Sequence, residues 1–189
     1  MSGRDGGAFG VTRGLVDRFG PERVINTPIS ELSFVGMAVG AALTGMRPVV
    51  EIMFMDFIAL AMDPIINMAA KLHYVFGRQA KCPLVIRTAC GAGRGYGPTH
   101  SQNLEAWFTH VPGLQVVAPS SAADAAGLLK TAIRGRNPVL FLEHKMLYGT
   151  RANVAFKEGD QSPLPFGRAR RLHEGSDGTI IGWSWMAHE

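Results

Sequence analysis

Apolar residues fall along this chain in short unbroken runs, and between the runs they recur at helical spacing. Val11, Leu15, Val16 and Phe19 share one helical face, and Gly20-Pro21 ends that segment. Val24 to Asn26 predicts a short strand. Glu31 to Leu43 predicts a helix whose small residues (Gly36, Ala38, Gly40, Ala41, Ala42) let another backbone come close. Arg47 to Ile52 predicts a buried strand, with Pro48 at its start where a missing N–H is tolerated. Phe57 to Leu72 has helical character, and Pro64 inside it predicts a kink or a fresh helix start capped by Asp63. Leu84 to Thr88 predicts a strand, followed by a loop with Gly91, Gly93, Gly95 and Gly97, then a short helix over Asn103 to Phe108. Gln115 to Ala118 predicts another strand. Ser121 is placed to cap a helix running to about Arg134, with Asp124 in its first turn. Val139 to Leu142, and then Thr179 to Gly182, complete the predicted strands.

Strands therefore alternate with helices, and the strands are continuously apolar rather than alternating. That combination predicts an α/β fold with a mostly parallel sheet flanked by helices on both faces. Residues 1–149 read as the body of one domain. Residues 150–178 are polar, carry Pro163 and Pro165, lack periodicity and read as a linker. Residues 179–189 hold a single strand-like segment with no partner of its own.

The chain has 189 residues, 47% hydrophobic and 18% charged, which fits a globular domain with a real core. Its formal charge is +4, and the one basic cluster, Arg168 with Arg170 and Arg171, reads as a solvated face rather than a nucleic-acid surface. Cys82 and Cys90 lack metal-ligand spacing and read as free thiols in a reducing compartment. Asp56 and Asp63 interrupt the richest apolar stretch, so no membrane span is expected. Met1 to Gly7 lack the apolar core of a signal peptide, and the expected location is cytoplasmic.

Three features can carry chemistry. Glu31 follows Ser30 and would sit at the positive end of a helix. A solvent-facing first-turn glutamate is its simplest reading from pattern alone. His100, at the end of a loop that follows a strand, is well placed for acid–base work, with a loop-packing histidine as the even alternative. The loop itself spells neither a phosphate-binding Gly-Lys-Ser/Thr pattern nor a dinucleotide fingerprint, and reads as a pocket wall. Phe54 and Phe57 read as core residues, or as an aromatic face for a planar ring.

The ordered set of segments resembles the β subunit of two-subunit 2-oxo acid dehydrogenase E1 components, a family that includes pyruvate, branched-chain and acetoin dehydrogenases. The segments are Thr27-Pro28-Ile29-Ser30-Glu31, Gly36 with Gly40-Ala41-Ala42, Gly45-Met46-Arg47-Pro48-Val49, Ile65 to Lys71, His100-Ser101-Gln102, His110-Val111-Pro112-Gly113-Leu114, Asn137-Pro138-Val139, Glu143 and Leu147-Tyr148-Gly149. Met53 to Phe57 and Phe141 to Lys145 look most similar to the acetoin branch. The resemblance runs from about Gly6 to about Trp183. It implies a transketolase-like pyrimidine-binding domain that lacks the family's first helix and strand and stops at the opening strand of its C-terminal domain.

The resemblance also implies roles. Glu31 matches the glutamate that hydrogen-bonds the pyrimidine of thiamine diphosphate and favours the tautomer that removes the thiazolium proton. Phe57 matches the aromatic packed on that pyrimidine. His100 matches a histidine near the substrate and the incoming lipoyl group. Leu84, Ala132, Gly135 and Asn137 match positions whose backbone carbonyls hold a potassium ion. The diphosphate and its Mg2+ fall to a partner E1 α subunit, in keeping with the lack of a Gly-Asp-Gly motif here. A dihydrolipoyl acyltransferase core is the implied partner of the intact complex, and self-association is expected. Tyr96-Gly97-Pro98-Thr99 departs from the family's small residues before the histidine, which alters the pocket wall. Two other readings fit the same residues: a non-catalytic fragment that forms an interaction surface, and a split transketolase-like enzyme.

Overall fold

A computed structural model describes residues 6–151 and 163–189. Four strands, β1 (Val49–Ile52), β2 (Val85–Cys90), β3 (Gln115–Val117) and β4 (Val139–His144), form one sheet in the order β1-β2-β4-β3. Every pairing is parallel, with Val85 opposite both Val49 and Val139, and Gln115 opposite Val139. The α/β class is as expected.

Both faces of the sheet are covered, so β2 is buried at all of its positions. On one face Ile52, Ile86, Leu140 and Leu142 pack with Val35, Val39, Ile58, Ile65 and Phe108. The covering layer is α2 (Glu31–Leu43), the helical stretch that follows β1, and α4 (Glu105–Thr109). On the other face Val85, Val139 and Phe141 pack against Leu128, Leu129, Ala132 and Ile133 of α5 (Ala122–Arg134). Ser121 caps α5 as expected, its Oγ accepting the Asp124 N–H at 3.1 Å. Gly113 is required where the chain turns into β3: it has φ +93°, and a Cβ there would lie 2.0 Å from the Ala70 carbonyl oxygen.

Some elements differ from expectation. The first helix is only α1 (Leu15–Phe19), with turns before it. Val24 to Asn26 and Thr179 to Gly182 form no strand. Neither segment finds a sheet edge, and Ile180 is fully exposed. The stretch around Pro64 is continuous rather than capped. A 3-10 helix (Met55–Ala61) runs into a π-helix (Pro64–Ala69) and then α3 (Leu72–Val75). Pro64 has no N–H to give the preceding turn, and the ladder resumes wider, with Ala70 N–H donating to Ile65 O at 3.1 Å. Asp63 accepts from the Asn67 side chain instead of capping. Of the predicted linker, 152–162 lie outside the described residues. Leu164 bonds both Gly127 O and Thr131 Oγ1, and Phe166 packs under α5. Arg170 and Arg171 pair with Asp124 and Glu174, in keeping with a solvated face.

One charged side chain lies in the middle of the sheet. Arg87 of β2 donates to both Glu143 oxygens on β4, at 2.8 and 2.6 Å, and to Glu51 on β1 at 3.3 Å. Tyr148 O–H donates to Glu143 at 2.6 Å, and burial beside the Glu143 charge pushes that phenol far up, so it stays a donor. Ala8 N–H closes on Glu51.

Two measurements check these contacts. Arg87→Met takes the cation from two part-buried carboxylates, which keep only the Ala8 and Tyr148 donors, and is expected to cost about 3 kcal/mol, read as a lower urea midpoint at unchanged slope. Burial pushes the Cys82 thiol up to about 11 and Cys90 to about 12. Both pKa values are raised on folding, so stability contributed by the protonated thiols is present at neutral pH and is lost as pH rises from about 9 toward these values. At pH 8 an aromatic disulfide reagent is expected to label neither thiol until the chain unfolds.

Candidate functional site

In an open parallel sheet ligands bind outside the carboxyl ends of the strands. Here β1 runs out into Met53 and Phe54, β2 into the loop that starts at Gly91, and β4 into Lys145. The segment after β2 leaves tightly because Gly91 has φ +87° and lies against the His144 ring, with no room for a Cβ. Its other end returns to the same point, Gly91 N–H donating to Gln102 O at 3.1 Å.

Phe54 is the centre of an aromatic cluster at this edge. Its ring lies edge-on to His100 at 4.9 Å, Phe9 at 5.6 Å, Tyr96 at 6.0 Å and Phe57 at 6.3 Å. His100 also meets Phe57 edge-on at 5.2 Å. The structure thus brings Phe57 and His100 together. The half-buried His100 ring shares a 3.0 Å hydrogen bond between Nδ1 and Thr99 Oγ1, which leaves Nε2 for a ligand. Tyr96, in the run that departs from the family, is part of the wall.

Glu31 opens α2 but does not face solvent: it is 8% exposed. No described residue hydrogen-bonds its carboxylate. Ser30 does not cap the helix, since its Oγ donates to Ser33 Oγ. The carboxylate lines a small cleft with Pro28, Ile29, Phe34, Glu51 and Met53. α2 leads back into β1, so its positive N-terminal end stands at the strand-end edge of the sheet. An acid that opens onto a cleft with no partner among the described residues, at the edge where ligands bind, suits a ligand that donates or shares a hydrogen bond there. Glu31 makes no hydrogen bond or ring contact with Phe57 or His100.

The four positions matched to a potassium site surround the C-terminal end of α5. Leu84 O accepts from Val139 N–H, and Ala132 O from Gly135 N–H. Arg47 Nη1 donates to both Gly135 O and Ile133 O, at 2.6 and 2.7 Å. A guanidinium thus already contacts one of the four carbonyls, that of Gly135.

Sequence reasoning passed over two residues of the site. Lys145 is fully buried, and burial holds its ammonium below the usual lysine range while Asp56 opposes that shift. Asp56 Oδ1 accepts from both the backbone and the side chain of Gln102, and its Oδ2 is buried without a partner. A lysine directly after an apolar strand, and an aspartate between two phenylalanines, were the available signals.

Comparison with known proteins agrees with this layout. The transketolase pyrimidine-binding domain model matches residues 2–151. A pyruvate dehydrogenase E1 component subunit beta of Rickettsia felis is 53% identical over 94% of this chain and 54% of its own length. The acetoin:2,6-dichlorophenolindophenol oxidoreductase subunit beta of Cupriavidus necator is 48% identical over 97% of this chain and 53% of its own length. The chain spans about half the length of the curated relatives it matches. A solved structure, a split-gene transketolase in an inactive β4 tetramer, superposes with a TM-score of 0.57 at 26% identity, covering 76% of this chain and 42% of its own. With the family model matched across the whole sheet and its strand-end edge, the chain belongs to the transketolase pyrimidine-binding domain family.

Proposed function

We propose that the chain is the pyrimidine-gripping half of a thiamine-diphosphate-dependent E1 component, a β subunit acting on a 2-oxo acid or acetoin. The observation that carries this is Glu31, a largely buried residue whose carboxylate has no hydrogen-bond partner among the described residues and lines a cleft at the carboxyl edge of the sheet. Thiamine diphosphate, when bound, supplies a carbon nucleophile for attack on a carbonyl. Glu31 would hold the aminopyrimidine by hydrogen bonding to a ring nitrogen. Phe57 would pack on the pyrimidine. His100 would move a proton between its free Nε2 and the substrate or lipoyl group.

The diphosphate and its Mg2+ are assigned to a partner α subunit, and the acyl acceptor to the lipoyl group of an acyltransferase core. The pyruvate and acetoin relatives are similar enough to this chain that both substrates stay within the proposal. Potassium held by the backbone carbonyls of Leu84, Ala132, Gly135 and Asn137 belongs to the same reading, with Arg47 beside it on Gly135 O. A cytoplasmic setting belongs to the same reading. Among the described residues no helix is long and apolar enough to cross a membrane.

Glu31→Gln tests the proposal in two ways. Reconstituted with a matching α subunit and assayed on pyruvate and acetoin, the variant is expected to lose about 10²–10⁴ of its turnover. The chain alone should melt at about the same temperature, because the Glu31 carboxylate makes no hydrogen bond to the described residues that glutamine would lose. Near-normal turnover removes the role given to Glu31.

Self-association is the second expectation. Leu32, Met37, Leu43 and Leu60 leave apolar surface exposed on and beside α2, where a Cβ at Gly36 or Gly40 would meet nothing. Light scattering on the concentrated chain should give a mass above the 20.4 kDa monomer. Met37→Glu should lower it.

A further inference from the structure

A fully buried lysine with no carboxylate in ion-pair contact among the described residues is an expensive feature, since an apolar side chain of similar volume is usually as stable or more so. Lys145 is such a residue. Its Nζ donates to the carbonyl oxygen of His100 and lies 5.1 Å from the centre of the Phe54 ring and 5.8 Å from that of Tyr96. Its own backbone carbonyl accepts from Arg94 Nη2 at 3.1 Å, within the glycine-rich loop. Two residues beyond His100, the Gln102 N–H and side-chain amide both donate to Asp56 Oδ1. Asp56 is the acidic group whose charge favours the buried ammonium. It also precedes Phe57, the other ring against His100.

A cation therefore holds the acceptor end of the His100 turn, and an anion holds its donor end. The two reach the turn from different strand ends, β4 for Lys145 and β1 for Asp56. The intervening residues 92–99 are exposed and include three glycines, Gly93, Gly95 and Gly97, so beyond the Arg94 and Tyr96 contacts little in the loop restrains it. The loop would otherwise be free to carry His100 away from the Phe54 and Phe57 rings.

We propose that Lys145 and Asp56 are positioning residues that clamp the His100–Gln102 turn and hold the imidazole against Phe57. Neither touches a reacting atom; they act through His100. The clamp is a matter of geometry, and its catalytic consequence rests on the role proposed for His100.

The test uses Lys145→Met, which keeps the stem and removes the charge, and Asp56→Asn, which keeps the shape. In the full chain, amide exchange over residues 92–103 is expected to speed up about tenfold or more in both variants, while β2 and β4 keep their protection. In the complex with the α subunit, kcat for acyl transfer is expected to fall by about 10²-fold, with the KM for thiamine diphosphate little changed, as for a misplaced catalytic group. Unchanged loop exchange in both variants overturns the clamp. A loosened loop with wild-type kcat overturns the positioning role. If methionine at 145 prevents folding, Asp56→Asn carries the same readouts. His100→Asn separates the two ideas: full activity in that variant, with a loosened loop in Lys145→Met, removes the role of His100 and leaves the clamp standing.

Discussion

The arrangement depends on one ionic contact in the middle of the sheet. Arg87 reaches both neighbouring strands, taking Glu143 in a two-pronged grip and Glu51 at a longer distance. Apolar contacts alone would tolerate other neighbours for β2, because every strand here offers a similar run of branched aliphatic side chains. A buried guanidinium does not, since any order that separates it from these carboxylates leaves charge unpaired in a low-dielectric interior. The contact lies near the carboxyl end of the strands, so it also aligns the points where β1, β2 and β4 give way to loops. The site is assembled from those loops.

The site combines two kinds of support. Its aromatic part, Phe54 with Phe57, Tyr96 and His100, is fixed by packing and by buried charge beneath it. Its acidic part, Glu31, is held by its place at the start of α2, and its carboxylate has no hydrogen-bond partner among the described residues.

Much of the fold was legible because it depends on local pattern. The apolar runs at β1, β2 and β4 and the Ser121 cap follow from periodicity and from one side chain reaching one amide. The misreadings at Val24 to Asn26 and Thr179 to Gly182 have a common cause: strand propensity is real there, but a strand exists only where the segment pairs with an edge, and neither segment reaches one. Burial of Glu31 was illegible for a different reason. It depends on Glu51 and Met53, which come 20 residues later in the chain, and first-turn glutamates normally face water. The Pro64 stretch was read as a break because the rule for proline is local, whereas packing of Ile58 and Ile65 against α2 keeps the helix going through a wider turn. Lys145 was invisible as a buried cation because nothing in its own segment announces the carbonyl 45 residues away that it holds.

The strand order has a consequence for how the chain acquires its structure during synthesis. β3 precedes β4 in the chain but lies outside it in the sheet, so it has no hydrogen-bonding neighbour until residues 139–144 exist. Until then β2 also has an open edge on the side that β4 will fill. A nascent chain paused before this point exposes two unsatisfied apolar strands at once, the state in which intermolecular pairing competes best. β4 thus acts as the closing wedge of the sheet, and the vulnerable window of biosynthesis ends only when residues 139–144 leave the ribosome.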